Sequence, residues 1–251
     1  MGNTVCMTIT TKRLCGVLLG VLVALTAAPA WAAAPTVKFG PPGVGGPDPI
    51  PAGAGAGAAT PASPVIASPG PATPLAVEQK LEALHYHVGA VDGVVDADTN
   101  SAVMAFQKVH GMERTGEYSD PVGSAILATT ADPAPLVPGG EPHRIEIDLA
   151  RQVLFLYDGG AISWILPVSS GTSSTPTVTG AYHIYSQRSG WETSRYGRLY
   201  NSQYFVGGFA IHGSLSVPNY PASHGCVRIP MSAADILPGR IHIGTPVYVL
   251  G

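Results

Sequence analysis

Residues 210–230 read AIHGSLSVPNYPASHGCVRIP and hold one cysteine, Cys226, with two histidines, His212 and His224, close to it in the chain. The thiolate, not the thiol, is the nucleophile, so a working cysteine needs a neighbour that takes its proton or stabilises its charge. A histidine does either near neutral pH. Two chemistries follow from these residue types. Sulfur can attack an acyl carbon with a histidine as proton acceptor, or all three side chains can ligate zinc. The spacing speaks against zinc, because His224 and Cys226 straddle a single glycine, Gly225, which is tight for two ligands of one tetrahedral ion. It does not choose between the histidines as partner of the sulfur.

The elements that must position these groups show in the patterning. The Gly, Ser, Pro and Asn content of 213–225 makes that stretch a loop, and reactive side chains are commonly displayed on loops held by a rigid scaffold. From residue 143 the apolar period is two: Ile145, Ile147 and Leu149 alternate with polar residues, 153–157 follows, Gly159-Gly160 turns the chain, and 161–168 returns. Tyr182 and Ile184 continue the pattern, 205–212 leads into the loop, and 246–250 is a last strand. One helix is expected here, over 231–237 after Pro230. About 110 residues of mostly β structure suffice for a core of their own. The polar-aromatic stretch 186–204 fits either a lid over a cleft or a surface loop.

Upstream, the chain changes character three times. Lys12 and Arg13 precede an apolar run over 14–28, and Ala30-Trp31-Ala32 offers small residues for cleavage, so residues 1–32 read as a signal peptide. The run is shorter than the ~20 residues that span a bilayer, so no transmembrane anchor is expected after cleavage. Removal takes Cys6 and Cys15 and leaves Cys226 as a lone thiol in an exported chain, without an internal disulfide. Residues 33–74 are almost entirely Ala, Gly, Pro, Ser and Thr and read as a disordered linker. Its reach is roughly 35–40 Å as a coil.

Residues 75–128 read as three short helices. Val77, Leu81 and Leu84 stripe the first; Asp96 or Asp98 caps a second carrying Ala102, Val103, Phe106 and Val109; Asp120-Pro121 opens a third. A short linker, 129–142, joins this unit to the β region at 143–251. His85 and His87 lack a third ligand nearby, so no metal and no cofactor is expected. The formal charge of −3 becomes −5 once Lys12 and Arg13 are gone, and no basic run survives, which argues against nucleic acid as a partner.

The constellation Ile211-His212-Gly213 followed by Ser223-His224-Gly225-Cys226-Val227-Arg228 resembles the signature of the L,D-transpeptidases, the YkuD-type enzymes of bacterial cell-wall synthesis. The resemblance covers essentially all of 143–251. It implies a mixed β-sandwich in which Cys226 is the nucleophile, His212 its proton acceptor, and the Gly213 carbonyl orients His212. It gives His224 and Ser223 supporting roles, and Arg228 the bracing of the loop rather than the binding of a carboxylate. Backbone N–H groups at Gly225 and Cys226 are the expected oxyanion donors. Across nearly all of 75–128, the pattern of Val91-Asp92-Gly93, Thr99, Ala102-Val103, Phe106-Gln107 and Gly111 resembles the peptidoglycan-binding domain 1 family, which implies binding of wall glycan peptide in a shallow groove between helices.

The whole is therefore a multidomain α + β chain: a small three-helix module, then a mostly β catalytic domain. The implied reaction takes a tetrapeptide stem of peptidoglycan, releases D-alanine and joins third residues of two stems in the periplasm or cell wall. An L,D-carboxypeptidase, a protein-to-wall anchoring enzyme, or a non-catalytic wall-binding protein are the alternatives, and carbapenem acylation of the cysteine is implied as well. Two departures from the family pattern stand out: the interval between His212 and Cys226 is short, and 175–180 reads TPTVTG, which lengthens a turn.

Overall fold

The computed structural model describes residues 71–251; the expected signal peptide and nearly all of the 33–74 linker lie outside them. Three helices come first: α1 (Pro74–Ala83), α2 (Ala97–Val109) and α3 (Asp120–Ala128). Asp96 caps α2, its carboxylate accepting the N–H groups of Asp98 and Thr99 at 2.9 Å. The α3 cap is Ser119, so Asp120 and Pro121 fall one position inside the helix expected to start at them. Glu78, fully buried, ties the unit together by accepting the N–H groups of Asp92 and Gly93 and the Thr99 hydroxyl. One buried carboxylate thus joins the Asp92-Gly93 turn to the first turn of α2.

Ten strands and one helix follow. One sheet holds β1 (Arg144–Asp148), β2 (Val153–Asp158), β3 (Ala161–Pro167), β4 (Gly180–His183) and β10 (Pro246–Leu250) in the order β3-β2-β1-β10-β4. The other runs β5-β7-β8-β9, from β5 (Ser186–Gln187), β7 (Gly197–Val206), β8 (Phe209–Gly213) and β9 (Val227–Ile229), with β6 (Trp191–Ser194) paired to β7. Helix α4 (Met231–Arg240) packs on β7 and β8. It runs past Leu237, where it was expected to end, and carries Pro238 inside its last turn.

The run 153–157 is apolar without alternation because the sheet is covered on both faces. Leu154, Leu156 and Leu166 join Ile145, Ile211, Val227, Ile229 and Leu237 in the core between the sheets. Val153, Phe155, Tyr157 and Ile165 meet Val77, Leu81, Phe106 and Ile126 of the helices in a second core. The helical module is thus docked on the β domain, not strung beside it. The chain at 85–87 adds a bridge to the edge of β3, with the Ile165 N–H donating to the His85 carbonyl at 2.8 Å.

The polar positions of β1 are likewise buried. Arg144 pairs with Glu146 at 2.7 Å, and Glu146 accepts the N–H groups of Leu136 and Val137. Part of the 129–142 segment is therefore folded against the sheet. The stretch 205–212 is two strands, not one: β7 ends at Val206, Gly207-Gly208 turns, and β8 begins. Residues 186–204 form β5, β6 and most of β7, a hairpin-bearing extension of the second sheet.

Candidate active site

Strand β8 pairs in parallel with β9, setting His212 opposite Arg228 and Ile211 opposite Val227. Cys226 immediately precedes β9, at the end of the loop that returns from β8. Both His212 and Cys226 line one cavity of about 430 Å³, within the size range of small-molecule sites.

Gly213 is fixed by closeness: a side-chain carbon there would sit 2.7 Å from Cβ of Ala234 on α4. That contact holds the end of β8 and so the histidine before it. The His212 ring, 5% exposed, has Nδ1 2.9 Å from the Gly213 carbonyl. A carbonyl only accepts, so Nδ1 carries the hydrogen and Nε2 of the neutral ring keeps its lone pair. Burial holds the imidazole below its ordinary range, against the pull of the Gly213 carbonyl, and the Arg228 charge lowers it further. Burial also pushes the Cys226 thiol up, outweighing the Ala210 N–H and Arg228, which favour the thiolate. Both shifts favour the neutral forms, a thiol and an imidazole. The thiol faces the Gly208 carbonyl at 3.8 Å.

The cysteine loop is organised by Ser223. Its hydroxyl donates to the Cys226 carbonyl at 2.5 Å and accepts the Gly225 N–H at 3.0 Å. Gly225 adopts φ +115°, and a side chain there would lie 1.9 Å from the Phe209 ring, so only glycine fits. The Gly225 carbonyl accepts from Thr177 and the Ser223 carbonyl from Thr175. The longer TPTVTG turn thus supplies two of the loop's supports.

This geometry corrects two expectations. The Gly225 N–H is committed to Ser223 and is not free to donate to an oxyanion; the Cys226 N–H, by contrast, has no protein acceptor among the described residues. Nor does the Arg228 side chain brace the loop. Its backbone pairs with Ser169, but its guanidinium makes no hydrogen bond or ion pair among the described residues and lines the cavity. Arg195 and Arg198 line the same cavity, stacked on Tyr196 and Trp191. Three guanidinium groups make this a site for anionic ligands.

His224 is exposed and stacks on Tyr196 at 4.8 Å, on the cavity's rim. Among the described residues no group of three His, Cys, Asp or Glu side chains is arranged to hold a metal ion. His85 lies 3.7 Å from Asp132 and His87 bonds Ser232 at 3.1 Å, so each has a polar partner of its own.

Patterning alone missed the second row of residues: Thr175 and Thr177, the Arg195–Arg198 turn, and Gln152, whose buried amide holds Ser170. Polar residues that support a site from beneath leave no periodic signal, and neither do arginines on an exposed turn. The TPTVTG motif was the one available clue.

Residues 142–249 match the L,D-transpeptidase catalytic domain family, and residues 73–122 the putative peptidoglycan binding domain family. No curated protein matches the chain. Among solved structures, an L,D-transpeptidase from Xylanimonas cellulosilytica is 33% identical, with a TM-score of 0.65 over 77% of this chain and 100% of that one. An L,D-transpeptidase from Stackebrandtia nassauensis is 24% identical, with a TM-score of 0.46 over 70% of this chain and 90% of that one.

Proposed function

This chain belongs to the L,D-transpeptidase family, and from that membership we propose that it cross-links peptidoglycan stems through an acyl-thioester on Cys226. The observation that carries the reading is the neutral His212, its Nδ1–H held by the Gly213 carbonyl, in one cavity with the Cys226 thiol. In the first half-reaction the thiol turns from the Gly208 carbonyl and gives its proton to His212 Nε2. Sulfur attacks the carbonyl carbon of the third stem residue. The C–N bond to D-alanine then breaks, and the imidazolium returns the proton to the leaving amine. In the second, an amine of another stem attacks the thioester and gives its proton to His212; the C–S bond breaks, and the imidazolium protonates the departing thiolate to restore the thiol.

The oxyanion formed in each step meets the unclaimed Cys226 N–H; one such donor is worth ~2.7–4 kcal/mol. Arg228, Arg195 and Arg198 receive the stem's carboxylates, and Ser223 and His224 shape the wall on which they rest. Carbapenems acylate the same sulfur by the same attack.

The site works outside the cytoplasm, after loss of residues 1–32. A family built on peptidoglycan chemistry and a helical module matching a putative peptidoglycan binding domain support that location.

The test is mass spectrometry of products from a purified disaccharide-tetrapeptide, beside Cys226→Ala. Cysteine-dependent loss of D-alanine with a cross-linked dimer is the expected result. Loss without a dimer makes the enzyme an L,D-carboxypeptidase. No acyl-enzyme and no loss from a folded chain would refute the reaction on this substrate.

A further inference from the structure

The catalytic cavity does not end at the β domain. Ser214, on its wall, also lines a groove of about 570 Å³ that runs between α2 and the loop after β8. One side is Asn100, Ser101 and Met104 of the helical module; the other is Ser214, Leu215 and Val217. Bonds between module and domain hold the two walls together. Ser232, on the groove, donates to Asp98 at 2.5 Å and bonds His87 at 3.1 Å. The Asn219 amide donates to the Arg114 carbonyl at 2.6 Å, while the Arg114 guanidinium reaches the Asn219 and Ala150 carbonyls. A buried Gln107 fixes the wall at Thr115 and Gly116.

Charge separates this groove from the cavity it adjoins. Three arginines line the cavity, whereas no lysine or arginine lines the groove, whose one carboxylate is already bonded to Ser232. Neutral amide and hydroxyl groups alternate there with Met104, Leu215 and Met231, and Leu215 is 85% exposed. Such a lining suits an uncharged ligand with many hydroxyl and acetamido groups and apolar ring faces. A second cavity beside the helices, between 82–89 and Ser163-Trp164, measures about 210 Å³, below the ~300 Å³ at which ligand pockets begin.

We infer that this inter-module groove binds the N-acetylated saccharide of the strand whose stem peptide enters the catalytic cavity, so that the helical module forms one wall of a continuous substrate channel. The inference rests on the proposed reaction for the peptide half and replaces the expected groove between helices as the glycan site. The anionic peptide goes to the arginines and the neutral sugar to the arginine-free groove. Ser214 is where the two halves meet.

Two measurements on the mature chain test it. The first compares KM for a disaccharide-tetrapeptide with KM for the free tetrapeptide, in the wild type, Ser101→Trp and Leu215→Ala. The second titrates a stem-free oligomer of N-acetylated amino sugars into Cys226→Ala, with and without Ser101→Trp. The wild type should favour the disaccharide donor about tenfold, the ratio given by 1.4 kcal/mol. Ser101→Trp, which fills the groove, should bring that ratio to about one and abolish oligomer binding; Leu215→Ala, at a solvated position, should lower the ratio partway. A wild type indifferent to the sugar, or a preference and oligomer affinity that survive Ser101→Trp, would overturn the inference. Acylation by neither donor would instead sink the reaction, while the oligomer titration still reads the groove.

Discussion

Lys108 is fully buried, and its ammonium donates to the Val168 carbonyl at 2.9 Å, across the contact between α2 and the end of β3. Burial, with a smaller push from Arg114, lowers it from 10.5 to about 7. The unfolded chain therefore binds a proton at Lys108 over a range in which the folded chain does not. Where the unfolded state holds more protons, stability rises with pH. The contribution is flat below about pH 7, climbs by up to ~1.4 kcal/mol per pH unit, and levels off above 10.5.

Between pH 7 and 9.5 this amounts to about 3 kcal/mol. The perturbation is Lys108→Met, which keeps length and removes charge. Its loss of the bond to Val168 costs about 1 kcal/mol, with no dependence on pH. Urea unfolding of both proteins at several pH values across that window gives the difference in stability. The variant should be at its best relative to wild type at pH 7, and wild type should gain about 3 kcal/mol on it by pH 9.5. Histidines 87, 110 and 212, all held low, titrate beneath the window. Tyr86 and Tyr157, both raised by burial, titrate above it. A difference that changes by less than about 1 kcal/mol would mean that the ammonium is solvated, and the argument would fail.

Two further expectations concern the site. Gly225→Ala should destabilise the chain by at least ~2 kcal/mol, from positive φ and from contact with Phe209, and should slow acylation of Cys226 by a carbapenem. Adding Phe209→Ala should relieve the contact but not the backbone strain, so thermal unfolding of the double variant should recover only in part. The neutral thiol–imidazole pair predicts the pH behaviour of kcat/KM: activity should fall as His212 protonates, with a midpoint below the ordinary 6.5. Alkylation of Cys226 by iodoacetamide should keep rising beyond pH 9, since the thiol is held above its ordinary 9.0. A plateau of alkylation near pH 7 would show a thiolate–imidazolium pair instead.

What the sequence displayed and what it hid divide along a physical line. Strand period and the Gly159-Gly160 turn are local, and each was legible; the pattern narrows the α2 cap only to Asp96 or Asp98, and runs through the Gly207-Gly208 turn as strand. The choice of His212 over His224 as the proton acceptor of Cys226 came only through the family's signature, since proximity in the chain favoured His224 equally. The Gly225 N–H is engaged by Ser223 only two residues away, in a loop turn that carries no periodic signal, whereas its carbonyl is held by Thr177 from 48 residues away; that the Arg228 guanidinium has no partner among the described residues also follows only from what folding brings near it. The docking of helices on β2 and β3 was half visible. An unbroken apolar run at 153–157 signals burial on both faces, but it does not name what covers the second face.

That covering matters for the chemistry because of where it ends. The Val168 carbonyl gripped by Lys108 is followed by Ser169, whose N–H and carbonyl pair with the Arg228 backbone at 3.1 and 3.0 Å. Next comes Ser170, whose carbonyl accepts the N–H groups of Ala222 and Ser223. Residues 168–170 are thus a strap with the helical module at one end and the cysteine loop at the other. Ser232 makes a second link: it bonds Asp98 and His87 of the module at the start of α4, the helix whose Ala234 packs on Gly213. The Cys226 loop and the His212 strand are each tied to the module by a separate, short path. A module placed this way helps set the geometry of the two groups, whatever it binds.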